Sequence, residues 1–151
     1  MGKYAYKMGV NFQNFAFLCP GQASQKIGMC KDLYEKDDFA RSNIDKASDI
    51  LDCDIKSIMF NGPDEVLKQT IYTQPAMFIS SYIIGSLLMS NGLKPTCAAG
   101  HSLGEFSAFA LAGAFNFEEG LKLVKARSEA MHDAGLKNPG AMAAVIGLEG
   151  D

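Results

Sequence analysis

An α/β fold is predicted for this chain, on three observations. Short apolar runs that read as buried strands alternate with segments whose apolar residues recur at helical spacing. Proline and glycine punctuate the boundaries between them. A Gly-x-Ser-x-Gly pentapeptide, Gly100-His101-Ser102-Leu103-Gly104, joins a short apolar run to a helical pattern. The resulting order is strand, helices, strand, turn, helices, strand. It sets the serine at the carboxyl end of a sheet, where folds of this class place their sites.

Phe15 to Cys19 reads as a buried strand stopped by Pro20-Gly21. From Asp38 to Leu51 the residues Ala40, Ile44, Ala47 and Leu51 share one helical stripe. A shorter helix spans Ile55 to Phe60 and ends at Asn61-Gly62-Pro63, after which Asp64 is expected to cap a brief helix through Gln69. Thr73-Gln74-Pro75 is expected to open a long apolar helix to Asn91, with Pro75 in its first turn and Gly92 at its C-terminal cap. Thr96 to Ala99 is the strand that feeds the serine turn, and helix resumes from Glu105 to Ala112. Asn116 with Glu119 three residues on forms a capping-box pattern for a helix to about His132. After the loop Asn138-Pro139-Gly140, Ala141 to Leu148 reads as a further strand.

Composition excludes several functions. A net charge of −3 without any Lys/Arg run leaves no footprint for nucleic acid or an anionic membrane. Met1 to Gln13 lacks the apolar core of a secretory signal. The most apolar segment, Ala76 to Met89, contains three serines and is shorter than the roughly 20 residues a bilayer span needs. Cys19, Cys30, Cys53 and Cys97 are widely spaced; Cys19 and Cys97 sit in apolar runs and read as reduced core cysteines of a cytoplasmic protein, with a disulfide pair as the alternative. Two distant histidines without a ligand cluster give no metal site.

Ser102 is the candidate nucleophile. A tight strand-to-helix turn lifts a serine hydroxyl out of the packing, and the following N–H, that of Leu103, is then set to stabilise an oxyanion. A serine capping the helix after Gly104 is the alternative reading. His101 is adjacent, but neighbouring side chains at a sharp turn diverge, so it is read as orienting the turn rather than as a base. His132 carries no mark of a base. On the helix after Asn116, Gly120, Val124, Arg127 and Met131 fall on one stripe with Leu123 at its edge. An arginine in an apolar stripe needs a partner, and its planar fork suits a carboxylate. An internal ion pair, or a side chain reaching water, are the plainer alternatives. Gln22 follows the first strand, where its N–H is placed as a second oxyanion donor or simply in a turn. Gln74 starts the buried helix, with helix-end hydrogen bonding as its plain role.

Together these pieces resemble the malonyl-CoA:acyl carrier protein transacylases of fatty acid synthesis and the related acyltransferase domains of polyketide synthases. The segments that carry the resemblance are Phe15-Ala16-Phe17 with Pro20-Gly21-Gln22-Ala23-Ser24-Gln25 and Gly28-Met29; Thr73-Gln74-Pro75-Ala76; Gly100 to Glu105; Arg127 with Met131; and Gly140 to Gly147. They occur in family order. The resemblance implies a malonyl-serine ester on Ser102, an oxyanion hole from the Gln22 and Leu103 N–H groups, and a substrate-binding set of Arg127, Gln74, His101 and Met131. In it, Arg127 holds the malonyl carboxylate. The implied partners are malonyl-CoA and acyl carrier protein, with no cofactor beyond the substrate. Ala23 departs from the glycine that many members carry.

The resemblance also implies domain limits. Residues 1–14 are an N-terminal extension, 15–139 an incomplete α/β-hydrolase-like large subdomain, and 140–151 the first strand of a ferredoxin-like small subdomain. Members run to roughly twice this length, near the upper range for a domain. Their catalytic histidine falls in the part this chain lacks, so the chain alone is expected to have little transacylase activity and to expose apolar surface. A generic serine hydrolase and a non-catalytic protein that binds malonyl-CoA or a carrier protein are the competing readings. The first gives no reason for Arg127 to face the apolar side.

Overall fold

The computed structural model describes residues 14–141 and Gly147. The expected strand from Ala141 to Leu148, the subdomain it would open and the N-terminal extension therefore lie almost wholly outside the described residues. Strands β1 (Ala16–Cys19) and β2 (Cys97–Gly100) pair in parallel, Ala16 opposite Cys97 and Cys19 opposite Gly100. Thr96 N–H to the Phe15 carbonyl (2.9 Å) and His101 N–H to the Cys19 carbonyl (3.1 Å) extend the ladder at both ends. A parallel pair needs a crossover, and here it contains five helices: α1 (Lys31–Lys36), α2 (Asp38–Leu51), α3 (Ile55–Asn61), α4 (Asp64–Leu67) and α5 (Thr70–Ser90). Then α6 (Gly104–Leu111) follows β2, and α7 (Phe117–Lys137) comes last.

The core gathers around α5, on which α7, α6, α2, α3 and α4 pack. Thr73 to Ser80 are buried in an unbroken run, so this helix is covered on all sides there. Phe78 and Phe117 stack at 5.9 Å between ring centroids, and Tyr82 tilts against Phe117 at 5.0 Å. The expected stripe of α2 is present, with Ala40, Ile44 and Ala47 fully buried. Cover is thinner beside the sheet, where Leu18 is 79% exposed and Ile84 and Leu88 flank the same open groove.

Five expectations are corrected. The first strand, expected to be buried, is fully covered only at Cys19, and Cys97, expected in the core, is exposed on β2, because little packs on the sheet there. Helix α5 starts at Thr70, not Thr73, so Pro75 lies beyond its first turn. Thr73 Oγ1 donates to the Leu67 carbonyl, and the Tyr72 and Thr73 amides both bond the Gln69 carbonyl, which winds the additional turn. Asp64 is the first residue of α4 rather than its cap; its carboxylate pairs with Lys68 instead. Helix α7 runs five residues past His132, exposed through its last turn, until Asn138 leaves the helical conformation before Pro139.

The capping box of α7 is present. The Asn116 side chain accepts from the Glu119 N–H (3.0 Å), and the Glu119 carboxylate accepts from the Asn116 N–H (2.9 Å). Asn116→Ala is expected to cost about 1 kcal/mol, read as a lower urea midpoint at unchanged slope.

Candidate active site

The serine turn is built by backbones that touch. A Cβ on Gly104 would fall within bonding range of the Cys19 carbonyl oxygen, and one on Gly100 would collide with the Gly104 carbonyl. Only glycine lets α6 begin directly against the end of β1. The Gly104 N–H closes the turn on the His101 carbonyl at 2.9 Å. Within it Ser102 takes φ 53°, a left-handed conformation that side chains seldom adopt. Its hydroxyl is thereby exposed beyond the strand, while Leu103 is buried beneath it at the N-cap of α6.

Arg127 reaches this hydroxyl from α7. Its Nη2 donates to Ser102 Oγ at 2.9 Å, and its Nη1 donates to Gln74 Oε1 on α5. The guanidinium also lies over the Phe106 ring, 5.8 Å from its centroid. Among the described residues no carboxylate pairs with it, whereas Lys46, Lys56, Lys68 and Lys125 all have acidic partners. The buried face of α7 consists of Phe117, Gly120, Leu121, Val124 and Ser128, with Leu123 49% exposed. Arg127 therefore borders the apolar stripe, half-buried, instead of occupying its centre.

Gln74 is fully buried and satisfied at three points. Its Nε2 donates to Thr70 Oγ1 at 2.9 Å and to Met131 Sδ at 3.3 Å, while its oxygen takes Arg127. Thr70 in turn donates to Gln22 Oε1 at 2.9 Å. One connected set of bonds thus joins Ser102, Arg127, Gln74, Met131, Thr70 and Gln22. His101 stands beside Gly21, where a Cβ would come within 2.9 Å of its Nδ1. All seven residues singled out in the sequence belong to this cluster or adjoin it. Among the described residues no histidine nitrogen bonds Ser102. Burial pushes the thiol of Cys19, at the end of β1, up from its ordinary range.

Thr70 and Phe106 were not anticipated. Thr70 precedes Gln74 by four positions, one helical turn, but that signal shows only once the helix is known to start there. Phe106 follows Ser102 by four positions, yet an aromatic residue in an apolar helix reads simply as core.

A family model described as an acyl transferase domain matches residues 16–149. The malonyl CoA-acyl carrier protein transacylase of Bacillus subtilis (strain 168) is 40% identical over 136 residues, covering 90% of this chain and 43% of that protein. The crystal structure of an acyl carrier protein S-malonyltransferase from Vibrio cholerae superposes with a TM-score of 0.76 at 40% identity, covering 81% of this chain and 40% of that one. A malonyl-transacylase in complex with a type II PKS acyl-carrier protein superposes with a TM-score of 0.75 at 37% identity, covering 81% and 40%. The chain spans less than half the length of the curated relatives it matches.

Two backbone positions give stability tests. Ser102→Gly and Ser102→Ala both remove the hydroxyl, but only glycine relieves the left-handed backbone. The glycine variant is expected to be the more stable by about 1 kcal/mol in urea unfolding. Ala23, where the family resemblance calls for glycine, has φ 80°. Ala23→Gly is accordingly expected to raise stability by about 1 kcal/mol in the same measurement.

Proposed function

We propose that this chain, which belongs to the acyl transferase domain family, takes a malonyl group from coenzyme A onto Ser102 and passes it to the phosphopantetheine thiol of an acyl carrier protein. The observation that carries the reading is the Arg127 guanidinium, free of any carboxylate among the described residues and hydrogen-bonded to the candidate nucleophile. A free acyl carboxylate bound there would supply the missing counter-charge. Its thioester carbonyl would then lie over Ser102. A guanidinium has five N–H donors, and Gln74 and Ser102 take one each, so a bidentate acyl carboxylate has donors to meet.

The chemistry runs in two exchanges. Ser102 Oγ attacks the thioester carbonyl and its proton passes to a base that the described residues do not provide. The tetrahedral oxyanion is held by the N–H groups of Gln22 and Leu103. The C–S bond then breaks, coenzyme A leaves as the thiol after taking up a proton, and malonyl remains as the serine ester. The carrier's thiol attacks that ester by the same route in reverse, restoring the Ser102 hydroxyl. His101 sets the turn, and Met131 and Gln74 complete the acyl-binding wall. No step requires a cofactor. The four free thiols support a reducing, cytoplasmic setting. Among the described residues no helix is long and apolar enough to cross a membrane.

The test places residues 16–149 in the frame of the Bacillus subtilis relative and follows acyl transfer to its carrier protein. The chimera is expected to transfer malonyl, and Ser102→Ala to abolish transfer. Arg127→Ala is expected to slow malonyl transfer on the order of 100-fold while changing acetyl transfer little, because only malonyl offers a carboxylate. Equal losses for both acyl groups would remove Arg127 from the clamp.

A further inference from the structure

We infer that Thr70 is a positioning residue of this site, whose single hydroxyl orients the Gln74 amide toward Arg127 and tethers the Gln22 loop; this rests on the reading of Arg127 and Gln22 given above. The argument is one of hydrogen-bond polarity. A threonine hydroxyl has one proton to donate. Thr70 donates it to Gln22 Oε1 at 2.9 Å, so it can offer Gln74 only lone pairs. Gln74 must therefore turn its NH2 toward Thr70, at 2.9 Å, and the second N–H of that group meets Met131 Sδ at 3.3 Å. This leaves the amide oxygen facing Arg127 Nη1. The opposite orientation would set an NH2 against a guanidinium, which has donors and no acceptor. Because Gln74 is fully buried, water does not compete for its groups, and the bonds available decide its orientation.

The same hydroxyl acts at its other end on a different part of the site. Gln22 is exposed and lies on the loop after β1, and the bond from Thr70 ties its side chain to the first turn of α5. One threonine thus links the group proposed to hold the acyl carboxylate with the loop proposed to donate to the oxyanion. It touches neither substrate nor nucleophile and acts through Gln74 and Gln22.

The experiment compares Thr70→Val, which keeps the shape and loses the hydroxyl, with Thr70→Ser, which keeps the hydroxyl and loses the methyl. In the full chain, hydrogen exchange of the 20–25 loop amides and calorimetric affinities for malonyl-CoA and acetyl-CoA are measured beside urea unfolding. Thr70→Val is expected to speed loop exchange about fivefold, the size of one lost hydrogen bond, and to weaken malonyl-CoA about tenfold with acetyl-CoA nearly unchanged. Thr70→Ser is expected to restore both. Wild-type exchange and wild-type malonyl affinity in Thr70→Val would overturn the proposal, as would a Thr70→Ser variant no better than Thr70→Val. A wild-type protein that does not favour malonyl-CoA over acetyl-CoA defeats the reading of Arg127 instead. Loop exchange in Thr70→Val then still decides whether the tether exists.

Discussion

The site depends on one steric constraint, the contact of the Gly104 backbone with the carbonyl at the end of β1. Because α6 starts against Cys19 with no side chain between, the link from β2 has only His101, Ser102 and Leu103 in which to reverse. That shortage of chain forces Ser102 into its left-handed conformation. It also sets the serine at the end of α6 where the helix dipole is positive. The same contact brings the His101 amide within reach of the Cys19 carbonyl, so the turn and the strand pair support each other. The reach of Arg127, which Gln74 holds, is useful only because this turn keeps a hydroxyl still for it to meet.

Two kinds of cation stand out among the described residues. Lys46, Lys56, Lys68 and Lys125 each sit beside an acidic side chain at the surface, where such pairs add little. Arg127 is held by an amide oxygen, a hydroxyl and an aromatic face, all neutral. Neutral partners fix a guanidinium in place without cancelling its charge. An internal carboxylate would have fixed it equally well and left it with nothing to offer an anion. Fixed position and uncompensated charge together are what recognition of an acyl carboxylate demands.

Much of this was legible in the sequence where local rules act alone. The serine turn follows from glycine spacing, the α2 stripe from Ala40, Ile44 and Ala47, and the start of α7 from Asn116 and Glu119. The rest was hidden where tertiary contact overrides local preference. Pro75 argues for a helix that begins just before it, so the turn containing Thr70 stayed out of view. Helix α1 has six residues and buries none of them, and so leaves no periodic trace. On α7 the register of the stripe was right at Gly120 and Val124, but burial went to Leu121 and Ser128 rather than toward Leu123. The curated relatives agree with the family read from five short segments.

The pairing of Ala16 with Cys97 has a kinetic side. All of α1 to α5 lies between the partners, so their contact is highly non-local and closes a long loop. The helices, joined by short connections, can consolidate around α5 without it. Closing so long a loop disfavours early formation of the strand pair, and with it of the turn at Ser102. During synthesis the first strand must wait for Cys97 to Gly104 to emerge before it has a partner. The Ser102 hydroxyl is accordingly presented only once two strands far apart in the chain have met.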